Sequence, residues 1–155
     1  MVQILYVMVG IPASGKTTWV ETHLNSEVSR VTLDIIRHEE YGRFPLDLNP
    51  DQERKVWASA YDTLGRKLRD GCDVVLDSMA LTRDYRVRHL DAAHGRAGFR
   101  PKAVAVFLNT PLEVALTRNR SREKRVLDDV IRRMATHLEP PTVEEGFAEV
   151  VRVVP

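Results

Sequence analysis

Cysteine occurs once in this sequence, as Cys72, so no internal disulfide can form. The five histidines show no paired spacing with it that would suggest zinc. With only Asp70 and Asp73 as close charges, Cys72 reads as a small core residue. Long apolar runs are missing as well. The longest, Ile4 to Val9 and Ala103 to Leu108, reach about a third of a membrane span. No charged segment precedes an apolar stretch at the N-terminus as a secretory leader requires, so the expectation is a soluble, cytoplasmic chain with no membrane partner. An excess of one charge is absent: 23 Lys and Arg against 22 Asp and Glu leave a net +1. That excludes a polybasic binder whose whole surface neutralises phosphates, and any contact with nucleic acid must come from a local basic patch. Repeats and low-complexity linkers are also lacking. With 43% hydrophobic and 29% charged residues, the 155-residue chain fits one compact folded domain, 1–155, rather than disorder or two full domains.

What is present is an alternation of short apolar runs with amphipathic stretches, the pattern of an α/β domain with a parallel sheet. The strands expected are Val2 to Val9, about Arg30 to Leu33, Asp73 to Leu76, Ala103 to Leu108 and Val150 to Val154. All five are rich in Val, Ile or Leu without clean polar alternation, as strands covered on both faces should be. Asn49, Pro50 and Gln52 supply a cap, a first-turn proline and a capping-box partner. Trp57, Tyr61, Leu64 and Leu68 then form a stripe that ends at Gly71. Thr110-Pro-Leu-Glu113 and Thr142-Val-Glu-Glu145 carry the same capping-box spacing. Thr82 to about Ala97 and Val126 to Leu138 complete the helices, and segments 41–49 and 139–142 are the expected loops.

The strongest chemical signal is Gly10-Ile11-Pro12-Ala13-Ser14-Gly15-Lys16-Thr17, a full G-x-x-x-x-G-K-[ST] match placed between an apolar strand and a helix. Glycines at both ends let successive N–H groups turn inward toward a di- or triphosphate, and the following helix aims its positive end at the same anion. Lys16 adds a mobile charge, and the Thr17 hydroxyl can ligand Mg²⁺. A glycine-containing strand-to-helix turn with a chance Lys-Thr would not explain why both glycines fall at the required spacing.

Asp77 closes the apolar run Val74-Val-Leu and is placed to hold a metal or its waters at the carboxyl edge of a sheet; capping the following turn is the plainer alternative. Asp34 follows Val31-Thr-Leu at a similar edge, with Arg37 one helical turn on. Asp34 can accept a proton from an attacking hydroxyl while Arg37 holds an anionic group of the acceptor. Equally, the pair can be an N-cap aspartate with an i, i+3 ion pair. Residues 118–125 hold five basic side chains against one acid, a local +4, and read as a lid over the phosphoryl groups or as a solvated basic helix face. The histidines read as surface or half-buried groups, although His38 beside Arg37 could sit near an acceptor.

Taken together, Gly10 to Trp19, Asp34-Ile-Ile-Arg37, Asp77 with Leu81-Thr-Arg-Asp-Tyr-Arg86, and Arg118-Asn-Arg-Ser-Arg122 with Val126-Leu-Asp-Asp-Val-Ile131 and Met134 resemble the 5′-hydroxyl polynucleotide kinase domain of bacteriophage and bacterial end-healing enzymes. The resemblance covers nearly the whole chain in the same order. It implies a P-loop kinase fold with a parallel five-stranded sheet in order 2-3-1-4-5, helices on both faces and a short basic lid at approximately 118–126. It further implies that ATP and Mg²⁺ bind along Gly10 to Thr18, with Lys16 and Thr17 on the phosphates and metal, Asp77 as a supporting acid at the metal, and Arg122 with Arg118 on the donor phosphates. Asp34 becomes the general base on the 5′-hydroxyl of DNA or RNA, and Arg37 the grip on the acceptor's phosphate. This chain has Met79-Ala80 where the family often carries Thr-Asn, and Leu127 where proline frequently follows the lid valine. Its length leaves no room for the phosphatase or ligase fused to better-known members, so a free-standing kinase is expected. The same parts would serve a kinase of a small hydroxylated molecule such as an antibiotic, nucleoside or sugar. A regulatory NTPase, by contrast, has no need of an acceptor pair like Asp34 and Arg37.

Overall fold

The computed structural model describes residues 2–42, 48–123 and 125–154. Five parallel strands, β1 (Ile4–Val9), β2 (Ser29–Thr32), β3 (Val74–Asp77), β4 (Lys102–Leu108) and β5 (Glu149–Val153), form one sheet in the order β2-β3-β1-β4-β5. The helices are α1 (Lys16–His23), α2 (Leu33–Tyr41), α3 (Pro50–Arg69), α4 (Arg83–Ala97), α5 (Leu112–Arg120) and α6 (Asp128–His137), and a single 3₁₀ turn covers Val143–Glu145. The expected sheet order holds. So does coverage on both faces: α1 packs Val20, Trp19 and Leu24 on one, and α3 and α4 pack Val56, Ala60, Leu64, Leu68, Leu90, Ala93 and Ala97 on the other. A third, smaller cluster joins α5 and α6 through Ala115, Leu116 and Ile131, and it includes Ile11 from the loop after β1.

Local chemistry explains most element ends. Asn49 accepts from the Gln52 N–H at 2.9 Å while the Gln52 side chain accepts from the Asn49 N–H at 3.0 Å, so the capping box that opens α3 is complete. Thr82 caps α4 by accepting from the Tyr85 N–H. The box at Thr142 also forms, but the chain turns away after one 3₁₀ turn at Gly146, whose φ of 122° ends it. At Thr110 the expected box does not form. Its hydroxyl instead donates to the Ser14 carbonyl at 2.7 Å, and Pro111 takes the N-cap position of α5.

Other boundaries moved as well, those of β3, β4 and β5 by a single residue. Leu33 opens α2 instead of closing β2, β1 begins at Ile4 with Val2 65% exposed, and α6 begins at Asp128 rather than Val126. Of the expected 41–49 loop, Tyr41 ends α2 and residues 43–47 lie outside the described residues.

Helices α3 and α4 approach unusually closely. A Cβ on Gly65 would stand 2.5 Å from the Arg96 Cβ and 2.9 Å from its carbonyl carbon, so no larger residue fits there. Further along the same seam His89 is 2% exposed, against the expectation of a surface or half-buried group. It stacks on Trp57 at 4.9 Å, and its Nδ1 lies 2.7 Å from the Tyr61 hydroxyl. Burial, with Arg86 and Arg88 nearby, pushes its pKa down to about 4, so the ring is neutral at physiological pH. Arg86 is wholly buried and donates to both Glu145 carboxylate oxygens at 2.6 and 3.2 Å and to the Ala80 carbonyl at 2.8 Å. Burial acts to raise the Glu145 pKa, but the Arg86 and Thr142 hydrogen bonds outweigh it and hold the carboxyl below its ordinary value. This buried pair ties the chain after β3 to the turn before β5.

Candidate active site

The Gly10 to Thr18 loop follows β1, Asp34 follows β2 and Asp77 ends β3, so these three stand at the carboxyl edge of the sheet, where parallel α/β folds place their ligands. The loop after β1 curls back on itself: Ala13 has φ 62° and Gly15 φ 103°, the left-handed region that suits glycine at the second position. Gly10 is required for a different reason, since a Cβ there would meet the Ser14 Oγ at 2.5 Å. Lys16 folds over this loop and donates to the carbonyls of Gly10 at 2.6 Å and Ile11 at 3.0 Å. Burial pushes its pKa down to about 8, with Asp77 pulling it up and Arg122 adding to the depression. The Ser14 Oγ is buried without a hydrogen-bond partner in the same loop. Thr17 and Thr18 are exposed at the start of α1, and the Thr17 hydroxyl has no hydrogen-bond partner among the described residues.

The neighbouring strands bring the carboxylates. Asp77 ends β3 directly beside Thr32 of β2, and its side chain is 13% exposed with Arg30 at 3.4 Å. Among the described residues no group of three or more His, Cys, Asp or Glu could hold a metal unaided. The donors that do face the loop, one free threonine hydroxyl and one carboxylate, fit Mg²⁺, which keeps most of its shell as phosphate oxygens and water. Asp34 stands in the first turn of α2, two residues beyond Thr32, with its side chain 67% exposed and 2.7 Å from Arg37 Nη1. It is therefore a first-turn residue, and Thr32 holds the N-cap position. The i, i+3 pair exists, and it leaves the carboxylate open to solvent and to an acceptor.

Sequence reasoning missed Glu53. From the first turn of α3 it accepts from Arg37 Nε at 2.9 Å and Nη2 at 3.0 Å, filling the guanidinium fork. It stands 16 residues from Arg37 on another helix, so no local spacing could have shown it. Arg30 was missed for the same reason.

The basic segment is divided by the structure. Arg118 belongs to α5, and its Nη1 approaches the Ser14 carbonyl at 3.5 Å. Arg120 pairs with Asp128 at 3.1 Å. Arg122 and Arg125 are exposed, and Lys124 lies outside the described residues. Asn119 staples this turn shut, donating to the Val126 carbonyl at 2.6 Å and accepting from its N–H at 3.1 Å. His38, which could have stood near an acceptor, lies on the last turn of α2.

Residues 5–141, most of the chain, match the family profile AAA_33, described as an AAA domain. The chain belongs to this AAA domain family. Among solved structures, this AAA domain is similar to a chain of the Pnkp1/Rnl/Hen1 RNA repair complex, with a TM-score of 0.71 and 20% identity over 88% of this chain. It spans only 44% of that chain's length. A sugar kinase from Janibacter sp. HTCC2649 aligns with a TM-score of 0.70 and 19% identity over 99% of this chain and 86% of its own. Kti12 from Chaetomium thermophilum, solved in complex with ADP-AlF3, aligns with a TM-score of 0.70 and 19% identity over 97% of this chain and 88% of its own. No curated protein matches the sequence. These likenesses give the AAA domain the fold of the P-loop kinases. Among its described residues, no helix is long and apolar enough to cross a membrane.

Proposed function

We propose that this AAA domain is an ATP-dependent phosphotransferase that moves the γ-phosphoryl group to the 5′-hydroxyl end of DNA or RNA. The observation that carries this reading is the Asp34 and Arg37 pair, held at 2.7 Å and backed by Glu53, at the start of the helix that follows β2, an acid–base arrangement for which a mere nucleotide switch has no need. In this reading Lys16 leaves the Gly10 and Ile11 carbonyls to follow the donor phosphates, while Arg118 and Arg122 spread the charge that develops between donor and acceptor. Asp34 aligns the acceptor hydroxyl and takes its proton as the oxygen attacks the γ-phosphorus and ADP departs. Mg²⁺, when bound beside Thr17 and Asp77, neutralises charge on the β- and γ-phosphates.

A second reading, a kinase of a small hydroxylated molecule, is favoured by one observation. Asp34, Arg37 and Glu53 together carry two negative charges against one positive, which suits an uncharged hydroxyl better than a phosphate. The likeness to the sugar kinase over nearly the whole chain agrees with it.

Labelled ATP, Mg²⁺ and a 5′-hydroxyl oligonucleotide decide between them, with a nucleoside 3′-phosphate, the bare nucleoside and simple sugars in parallel and Lys16→Ala as control. The polynucleotide reading expects label at the 5′ end and a strong preference for the 3′-phosphorylated nucleoside, largely erased in Arg37→Ala. Equal labelling of bare nucleosides or sugars would transfer the assignment to the small-molecule reading.

A further inference from the structure

Between α1 and the β2–β3 edge, four side chains alternate in sign: Lys16, Asp77, Arg30 and Glu21. Strand register puts them there. Arg30 pairs with Val75, and Val75 belongs to the core cluster beneath α1, so Arg30 faces α1. Asp77, two residues past Val75, lies on the same face. The Arg30 stem lines a cavity with Val20, Leu24, Val28 and Val75. Its guanidinium reaches outward along this wall, Nη2 standing 3.4 Å from Asp77 Oδ2 and Nη1 4.0 Å from Glu21 Oε1.

Two more deeply buried arginines behave differently. Arg37 and Arg86 each close their fork on one glutamate, at distances from 2.6 to 3.2 Å. Arg30 gives one nitrogen to each of two carboxylates, both at long range, and Asp77 has no other ion pair or hydrogen bond among the described residues. A half-buried carboxylate facing the phosphate loop needs a cation beside it. Among the described residues Arg30 is the cation that stands within 4 Å of it, while Lys16 gives its hydrogen bonds to loop carbonyls and acts on Asp77 only through its charge.

We propose that Arg30 is a positioning residue that holds the cation place on Asp77 until a divalent metal enters with the nucleotide, and that Glu21 is the seat to which Arg30 then moves. The proposal rests on the reading of Asp77 as the carboxylate on the metal's side and is independent of the acceptor. It has an unusual signature. Without Arg30 an uncompensated Asp77 repels the phosphates when metal is absent, yet competes for metal unopposed when metal is present. A residue that only supported the fold would weaken both.

Calorimetric binding of ADP to the full chain, with metal chelated and then across a Mg²⁺ titration, tests this. Arg30→Ala should lower the metal-free ADP affinity by about three- to tenfold and should lower the Mg²⁺ concentration for half-maximal effect by a similar factor. Arg30→Gln, which keeps the stem and removes the charge, should do the same and serves if the alanine variant does not fold. Glu21→Gln should leave metal-free binding as in the wild type and raise the Mg²⁺ requirement. If both quantities weaken together in the Arg30 variants, or neither moves while the wild type responds to Mg²⁺, the proposal is overturned. A wild type whose ADP affinity ignores Mg²⁺ would remove the metal reading of Asp77 and this proposal together.

Discussion

Nucleotide binding should take up a proton near pH 8, and Lys16 should be the group that takes it. In the free protein the Lys16 ammonium is buried against the Gly10 and Ile11 carbonyls, and its pKa is pushed down to about 8. Bound phosphates favour the charged form and return it toward its ordinary 10.5. With those two values, uptake on binding is about 0.1 proton at pH 7, about 0.5 at pH 8 and about 0.9 at pH 9, and affinity falls roughly twofold over the first interval and roughly fivefold over the second. From pH 8 upward the terminal phosphate of ADP is nearly fully ionised and contributes little, so the uptake there reads Lys16. Titration calorimetry in Tris and in a buffer of low ionisation enthalpy reads the uptake directly as the slope of apparent enthalpy against buffer enthalpy. Lys16→Arg keeps the charge but cannot titrate, and should abolish the uptake. A slope near zero at pH 8 to 9, or the same slope in Lys16→Arg, would refute the reasoning. The sign for stability is also fixed. A lysine whose pKa is lowered on folding makes the nucleotide-free protein more stable as pH rises from about 8 to 10.5, because the unfolded chain then keeps a proton that the folded one has lost.

Asp34→Asn keeps the shape but removes the base, and should slow transfer by roughly 10²- to 10⁴-fold in a single-turnover assay with ATP affinity little changed. Arg122→Ala should lower kcat sharply and Arg122→Lys should restore it only in part, since the planar fork is lost; an undiminished rate in the alanine variant would pass the role to Arg118. Removing one partner of the wholly buried pair, as in Glu145→Gln or Arg86→Met, should cost about 3–5 kcal/mol in chemical denaturation, whereas Arg86→Met with Glu145→Leu together should cost less. Thr110→Val removes the hydroxyl that holds the Ser14 carbonyl, and should weaken ADP binding by roughly two- to tenfold through a looser loop.

The fold was largely legible because its signals are local. Apolar runs mark β1, β3 and β4, which are buried on both faces, while the edge strands β2 and β5, expected to be covered in the same way, are mostly half-buried or exposed. Asn49 with Gln52 marks a helix start that needs no distant partner. The phosphate loop was legible for the same reason, every residue of it lying within one turn. Where legibility failed, two groups far apart in sequence competed with a local pattern. Thr110 has the same spacing as Thr142, but a carbonyl 96 residues away claims its hydroxyl. Leu33 continues the strand's pattern after Val31 and the β-branched Thr32, and only the end of β3 at Asp77 shows that the sheet stops at Thr32. The site was half legible. Asp34, Arg37 and Asp77 announce themselves by position, but Glu53, Arg30 and Glu21 acquire meaning only once the helices and strand order bring them alongside. His89 looked like any surface histidine until Trp57 and Tyr61 closed over it.

Ile11 belongs at once to the loop that would wrap the phosphates and to the small core that joins α5 and α6. That shared membership makes the basic segment a lever whose pivot is the nucleotide loop itself. The path of the loop and the packing of Leu116 and Ile131 are therefore fixed together, and α5, which carries Arg118, is seated on that cluster. That link between the loop and α5 is apolar contact, which salt does not screen, whereas α3 and α4 meet at a separate seam, around Gly65.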